Sequence, residues 1–210
     1  MIERLVVGTP PAKNQERAAE LLKALQKNIA CKHIKAITLV IEENGLDDAM
    51  LEAVESSQNK VETHTIARRM TWAGAVDVAC AGTSPGGIAA VANADVWFDH
   101  TAQLFDNWTR WSDVLFAVYR NAEPNVQRAD AWLFKPPFQL EGTDIPLGLE
   151  RGDQRICAMA QNAGFLVLNP AVDIMLHHEH ANHPGYDGSK RADPPWGFST
   201  LMSFNAEDPE

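Results

Sequence analysis

Short polar side chains follow an apolar segment within residues 88–99, and their types suit a metal ion and a diphosphate. Small and branched residues from Ile88 onward predict a buried strand, and Asn93, Asp95 and Asp99 crowd its carboxyl end. In open α/β sheets, ligands bind beyond the carboxyl ends of the strands. Oxygen ligands there suit Mg²⁺ or Mn²⁺, which bind through one or two carboxylates and substrate phosphates. The segment therefore predicts a metal–diphosphate site, and turn capping by Asn93 and Asp95 is the structural alternative.

A cluster of imidazoles offers a second set of metal ligands. Four of the seven histidines lie in the segment 177–183, after an apolar stretch. In extended chain, His178 and His180 lie on the same face and can share one site. A histidine beside an acidic strand end would complete a mixed oxygen and nitrogen ligand set that suits Mn²⁺ or Zn²⁺. The structural alternative is a solvated, partly packed loop.

Two further carboxylates and one arginine are candidates for catalysis and phosphate binding. Asp130 is expected at the start of a strand, with Trp132 on the same face. Asp153 is expected at the start of a helix, where it either caps the helix or serves as a general base toward an acceptor hydroxyl. Arg69, close to Thr71, is expected to pair with a phosphate or with the acidic site.

Composition limits the classes of partner. The chain has 28 acidic and 18 basic residues and a formal charge of −10, which disfavours broad binding to nucleic acid because that needs clustered Lys and Arg. The three cysteines show no metal-ligand spacing and are expected to be buried thiols in a reducing compartment. The sequence shows no signal peptide and no apolar stretch near the ~20 residues of a membrane span. These features predict a soluble cytoplasmic protein.

Hydrophobic periodicity predicts the elements that must position these side chains. In the first half, strands at 2–7, 34–41, 61–66 and from residue 88 alternate with helices at 18–29, 46–54 and 71–80. This alternation predicts a mostly parallel sheet flanked by helices, with right-handed crossovers. In the second half, strands are expected at 114–119, 131–134, 165–168 and 172–176, a helix at 153–163, and a loop and tail from 184.

The order of elements predicts a single domain whose successive segments have different roles. Residues 1–100 would bind the nucleotide, about 101–186 would hold the acceptor and the metal, and 187–210 would form a loop and tail. Thr9 and Pro10, with the segment 42–44, end the first two parallel strands and are therefore expected to frame a nucleoside.

Several blocks resemble, in matching order, glycosyltransferase-like proteins with the A-type, nucleotide-diphospho-sugar transferase fold. The resemblance spans about residues 2–186. Its blocks are Asn93-Ala94-Asp95 before Trp97-Phe98-Asp99, Arg69-Met70-Thr71, Val118-Tyr119-Arg120, Asp130 to Lys135, Gly148 to Ile156, Asn169-Pro170 and His178-Glu179-His180.

The resemblance implies a nucleotide-sugar donor, with UDP as the expected nucleotide, held by its diphosphate on Mn²⁺ or Mg²⁺. Asp95 would be the principal metal ligand with Asn93 beside it, and His178 or His180 would be the late ligand. Two departures stand out. Asn93 replaces an acid of the Asp-x-Asp motif, and Gly152 replaces the Cys that precedes Asp153 in the family pattern.

Together these features predict a metal-dependent glycosyltransferase with Asp153, and next Asp130, as the catalytic carboxylate. Thr9, Pro10, Arg69, Asn93 and Asp95 are the expected donor contacts. A nucleotidyltransferase on the same fold is one alternative, although residues 9–13 make a poor Gly-rich basic loop. A non-catalytic metal- or nucleotide-binding protein is the other, because Asn93 stands where an acid is expected. The acceptor stays open among glycans, metabolites, proteins and nucleic-acid bases, as does the oligomeric state.

Overall fold

A computed structural model describes residues 1–42, 46–108, 113–119, 128–179, 192–195, 197–201 and 203. Its elements, in chain order, are β1 (Ile2–Thr9), α1 (Gln15–Ala30), β2 (Ile34–Glu42), α2 (Asp48–Glu55), β3 (Val61–Ile66), α3 (Trp72–Ala81), β4 (Ile88–Ala92), β5 (Val96–Phe98), a 3₁₀ helix (His100–Asn107), β6 (Val114–Tyr119), β7 (Ala129–Phe134), α4 (Gly152–Asn162), β8 (Leu166–Asn169), β9 (Leu176–His178) and β10 (Thr200–Leu201).

Eight strands form one sheet in the order β10-β8-β6-β7-β4-β1-β2-β3. All neighbouring pairs are parallel except those of β7, which runs antiparallel to β4 and β6. Strands β5 and β9 form a separate antiparallel pair. The α/β class with a mostly parallel central sheet, expected from the sequence, is confirmed.

The two faces of the sheet carry different helices. Helices α1 and α2 and the 3₁₀ helix pack on one face, and α3 and α4 pack on the other. Side chains of β4 alternate between the two cores, with Ala90 and Ala92 on the first face and Ala89 and Val91 on the second. This period of two is the pattern of a strand buried on both sides, and β4 lies inside the sheet, between β7 and β1.

Local sequence explains where the helices begin. Asn14 caps α1 by accepting a 2.8 Å hydrogen bond from Arg17 N, and Thr71 caps α3. Helix α4 begins at Gly152, after Arg151 in the left-handed conformation. Asp153 therefore lies in the first turn of α4 and not at its cap. Within the described ranges, no helix has the length and apolar composition of a membrane-spanning segment.

Two expected elements differ from the structure. The strand expected at 172–176 is wrong, because the side chain of Asn169 accepts from Ala171 N and the carbonyl of Pro170 accepts from Asp173 N, which folds this segment into a turn. The strand forms later, at Leu176–His178. The tail also contributes to the fold, because Thr200–Leu201 pairs with β8 as an edge strand. His180, His183, Glu43 and Asn44 lie outside the described residues.

Candidate active site

The antiparallel pairing of β4 and β7 brings two predicted site residues together. Ala92 lies opposite Ala131, so Asn93, just past the end of β4, meets Asp130 near the start of β7. The backbone N–H of Asn93 donates to the carbonyl of Asp130 at 2.9 Å. The side-chain Nδ2 of Asn93 donates to Asp130 Oδ1, also at 2.9 Å. One backbone and one side-chain hydrogen bond thus join the two residues at this strand end.

Asn93, Asp130 and Asp153 line one cavity of about 170 Å³. Asp153 enters it from the first turn of α4, and its Oδ2 accepts a 3.1 Å hydrogen bond from the backbone N–H of Ala129. Trp72 and Trp132, both almost fully buried, also line the cavity. The cavity therefore combines two carboxylates and one amide with aromatic surface.

The two carboxylates lie in a largely desolvated environment. Asp130 is buried, and burial raises the pKa of Asp153, although hydrogen bonds from Gln154 N and Ala129 N and the charge of Arg128 act in the opposite direction. A carboxylate with a raised pKa binds a proton more readily near neutral pH. Asp153 therefore has a property that a general base requires.

The segment 145–149 forms a wall of this cavity, and Arg69 anchors it. Nε and Nη2 of Arg69 both donate to the carbonyl of Leu147, at 3.1 and 2.7 Å. Leu147 N in turn donates to the carbonyl of Met70, whose own N–H donates to the carboxylate of Glu42. Arg69, expected beside a phosphate or the acidic site, thus contacts a backbone carbonyl of the cavity wall.

Asp95 lies in a different environment from Asn93. It is 6 % exposed and its Oδ2 forms a 2.8 Å ion pair with Nη2 of Arg17, from the first turn of α1. His178 approaches the same oxygen, with Nε2 at 3.5 Å, because β9 pairs with β5 and places His178 opposite Val96. Asn93 and Asp95 therefore belong to two separate sites, the cavity and the ion pair with Arg17.

The residues around Asp95 fit an ion pair better than a divalent cation. A carboxylate oxygen and an imidazole nitrogen are suitable ligands for Mn²⁺, but the guanidinium of Arg17 already contacts the oxygen that faces His178. Over the described part of the chain, no three His, Cys, Asp or Glu side chains form a group that could hold a metal ion. His180, the remaining predicted ligand, lies outside that part.

The predicted nucleoside contacts at the end of β1 stand apart from the cavity. Thr9 is fully buried, and its hydroxyl has no hydrogen-bond partner within the described ranges. It lies beside Val7, Leu21 and Ala94 under helix α1, and Pro10 follows it half-buried. A nucleoside role for Thr9 and Pro10 stays a prediction.

Sequence reasoning missed two residues of these sites. Arg17 lies far from Asp95 in the sequence, and no local pattern links the two. Trp72 follows the cap of α3 and is almost fully buried, which its place next to Thr71 does not reveal. The indole Nε1 atoms of Trp72 and Trp132 lack hydrogen-bond partners among the residues that the structure describes.

Comparison with known proteins does not assign this chain to a family. No family model matches the sequence, and no curated protein matches it. Among solved structures, HddC from Yersinia pseudotuberculosis is similar at 12% identity and a TM-score of 0.39, over 64% of this chain and 77% of that chain. TarS 1-349 from S. aureus in complex with UDP-GlcNAc is similar at 16% identity and a TM-score of 0.36, over 58% of this chain and 35% of that chain. Neither structure assigns a function to this protein.

Proposed function

We propose that the protein transfers a sugar from a nucleotide-sugar donor, with UDP as the expected nucleotide, to an acceptor hydroxyl. The observation that carries the proposal is the shared cavity of Asn93, Asp130 and Asp153 at the carboxyl end of β4. In α/β sheets of this kind, ligands bind at the carboxyl ends of strands. The resemblance of the sequence to nucleotide-diphospho-sugar transferases supports the same conclusion.

Asp153 takes the role of general base in this proposal. Its carboxylate accepts the proton of the acceptor hydroxyl as that oxygen attacks the anomeric carbon of the donor, and the nucleoside diphosphate leaves. Burial raises the pKa of Asp153, which favours proton uptake. Asp130 is the second candidate, and its hydrogen bond from Asn93 holds one of its oxygens in place.

The aromatic residues and the strand ends supply binding in this proposal. Trp72 and Trp132, both almost fully buried, shape the apolar part of the cavity wall. Thr9, the last residue of β1, and Pro10, which follows it, are proposed to frame the nucleoside, because ligands of such sheets bind beyond the carboxyl ends of the strands. Arg69 is proposed to act through Leu147 by fixing the cavity wall.

The test is release of nucleoside diphosphate from a panel of nucleotide-sugars, with and without Mn²⁺, by the purified protein. Asp153→Asn is compared with Asp48→Asn, which changes an exposed first-turn carboxylate on α2 away from the cavity. We expect release to be lost in Asp153→Asn and retained in Asp48→Asn. Equal release in both variants and the wild type would remove Asp153 from the reaction.

A second assay with a nucleoside triphosphate and a sugar phosphate, and a thermal-shift measurement, separate the two alternatives. A nucleotidyltransferase would release pyrophosphate from a nucleoside triphosphate and a sugar phosphate, and would leave nucleotide-sugars intact in the absence of pyrophosphate. A non-catalytic binding protein would show a thermal shift with a nucleotide but no turnover of any donor. A ligand at about 100 times its Kd adds roughly 2.7 kcal/mol of stability, so the shift is measurable without turnover.

A further inference from the structure

The ion pair between Arg17 and Asp95 occupies the place where the sequence resemblance expects a divalent cation. Nη2 of Arg17 lies 2.8 Å from Asp95 Oδ2, and Nη1 lies 2.9 Å from Glu20 Oε2. Both partners are largely shielded from water, with side-chain exposures of 22% for Arg17 and 9% for Asp95. At this distance a guanidinium already neutralises the carboxylate.

Arg17 stays positively charged in this environment. Burial alone would lower its pKa, but the neighbouring carboxylates of Asp95 and Glu20 outweigh that effect and raise it. Low solvent access also strengthens the repulsion between a guanidinium and any divalent cation placed on the same oxygen. A cation could bind Asp95 only after Arg17 had moved away, which would break a shielded ion pair.

We infer that Arg17 takes the place of the divalent cation on Asp95, and that nucleoside diphosphates bind this chain without a divalent metal ion. The nucleotide part of the inference rests on the proposed function. Arg17 is a positioning residue here, because it joins the first turn of α1, just beyond the end of β1, to the segment that carries Asp95.

Binding of Mn²⁺ alone, followed through the spin-resonance signal of free Mn²⁺, tests the first half of the inference. We expect the wild type to bind no Mn²⁺ that depends on Asp95. We expect Arg17→Ala to gain Mn²⁺ binding, since Asp95 and His178 then lose their competing guanidinium, and Arg17→Ala with Asp95→Asn to lose that gain. Wild-type Mn²⁺ binding that disappears in Asp95→Asn would overturn the inference.

Two further variants are controls for the Mn²⁺ measurements. Lys23→Ala removes the ion pair between α1 and Glu179 of the segment after β9, at 2.8 Å, without touching Asp95, and should leave Mn²⁺ binding as in the wild type. Arg17→Lys keeps a positive charge and should also bind no Mn²⁺. If Arg17→Ala does not fold, the wild type and Arg17→Lys still decide the question.

Calorimetry with UDP, in the presence of either EDTA or Mn²⁺, tests the second half. We expect the wild type to bind UDP with the same affinity in both conditions. An affinity that rises about tenfold or more with Mn²⁺, or 1.4 kcal/mol in binding free energy, would overturn it. Absence of UDP binding in both conditions would contradict the proposed function, and the Mn²⁺ measurements would still judge the role of Arg17.

Discussion

The side-chain amide of Asn93 donates a 2.9 Å hydrogen bond to Oδ1 of Asp130, across the ends of two antiparallel strands. This contact gives a physical reason for an amide, and not an acid, at position 93. A carboxylate at position 93 would face the buried carboxylate of Asp130, and two like charges so close disfavour ionisation of both. An amide instead donates to that oxygen. An amide at position 93 thus suits the cavity of this chain.

Asn93→Asp should destabilise the protein at neutral and alkaline pH. The variant replaces a donor by a second acceptor, and loss of a partner for a buried polar group costs roughly 1–3 kcal/mol. One carboxyl of the new pair would have a raised pKa, so the variant's stability should recover as pH falls and decline as pH rises through that value. Urea unfolding at a mildly acidic and a mildly alkaline pH measures this difference.

Asn93→Ala is the control for that prediction, because it removes the donor without adding a charge. Its loss of stability should depend much less on pH than that of Asn93→Asp. If both variants show the same pH profile, Asp130 and position 93 do not interact electrostatically.

Asp153→Asn should separate stability from activity. Its amide oxygen can still accept from Ala129 N, and the variant no longer places a charge in a desolvated site. Because burial raises the pKa of Asp153 in the folded state, its ionised form lowers stability as pH rises through that pKa. The variant should therefore be as stable as the wild type, or more stable, at neutral pH, while sugar transfer is lost. Thermal unfolding across pH and a transfer assay on the same samples check both halves.

Arg69→Lys should loosen the cavity wall without removing its charge. The guanidinium places two N–H groups on the carbonyl of Leu147, a fork that a lysine ammonium cannot reproduce. Because Arg69 is largely exposed, we expect a small loss of stability, about 0.5–1.5 kcal/mol, and a higher KM for the donor. The matched control is Arg68→Lys at the exposed neighbouring position. An unchanged KM in Arg69→Lys would mean that the segment 145–149 does not depend on this anchor.

Local sequence patterns predicted most of the sheet. Val114–Tyr119 and Ile88–Ala92 are buried along their whole length and read as continuous apolar segments, and the end of Ile88–Ala92 brings Asn93 to the expected edge of the sheet. Val61–Ile66 is a mostly exposed edge strand, and it too has the expected bounds. The contacts between side chains were harder to predict from the sequence. The ion pair of Arg17 with Asp95 depends on how α1 packs against β5, and sequence spacing carries no information on that packing.

The same limit explains the error at 172–176. Its apolar residues fit a strand, but the side chain of Asn169 bonds to the backbone two residues on and closes a turn first. Pairing of Leu176–His178 with β5 then places His178 beside Asp95 and stacks His177 on Trp97, with ring centroids 3.8 Å apart. Tertiary contacts therefore give the two neighbouring histidines different partners.

Thr101→Val should make the protein less stable than the wild type at neutral pH. This difference in stability should become smaller in acid. Asp99 Oδ1 accepts from Thr101 N at 2.8 Å and from Thr101 Oγ1 at 2.5 Å, and His177 Nε2 lies 3.2 Å from Asp99 Oδ2. Burial alone would raise the pKa of Asp99, but the hydrogen bonds from Thr101 and His177 outweigh it and lower that pKa. The ionised form thus contributes stability above the ordinary pKa of Asp99, and this contribution disappears as pH falls through the lowered value.

The valine variant lacks the Thr101 hydroxyl, which donates to Asp99. The same hydroxyl oxygen also accepts a 2.8 Å hydrogen bond from Met175 N, and the variant loses that bond too. We expect a loss of about 1–3 kcal/mol at neutral pH. The part due to Asp99 should vanish in acid and the part due to Met175 should remain. Thr101→Ser keeps the hydroxyl and should follow the wild-type profile. Urea unfolding of the three proteins from neutral pH down to about pH 3, below the ordinary Asp pKa of about 3.9, measures these profiles. A valine variant whose deficit stays constant over that range would show that Thr101 does not stabilise the ionised form of Asp99.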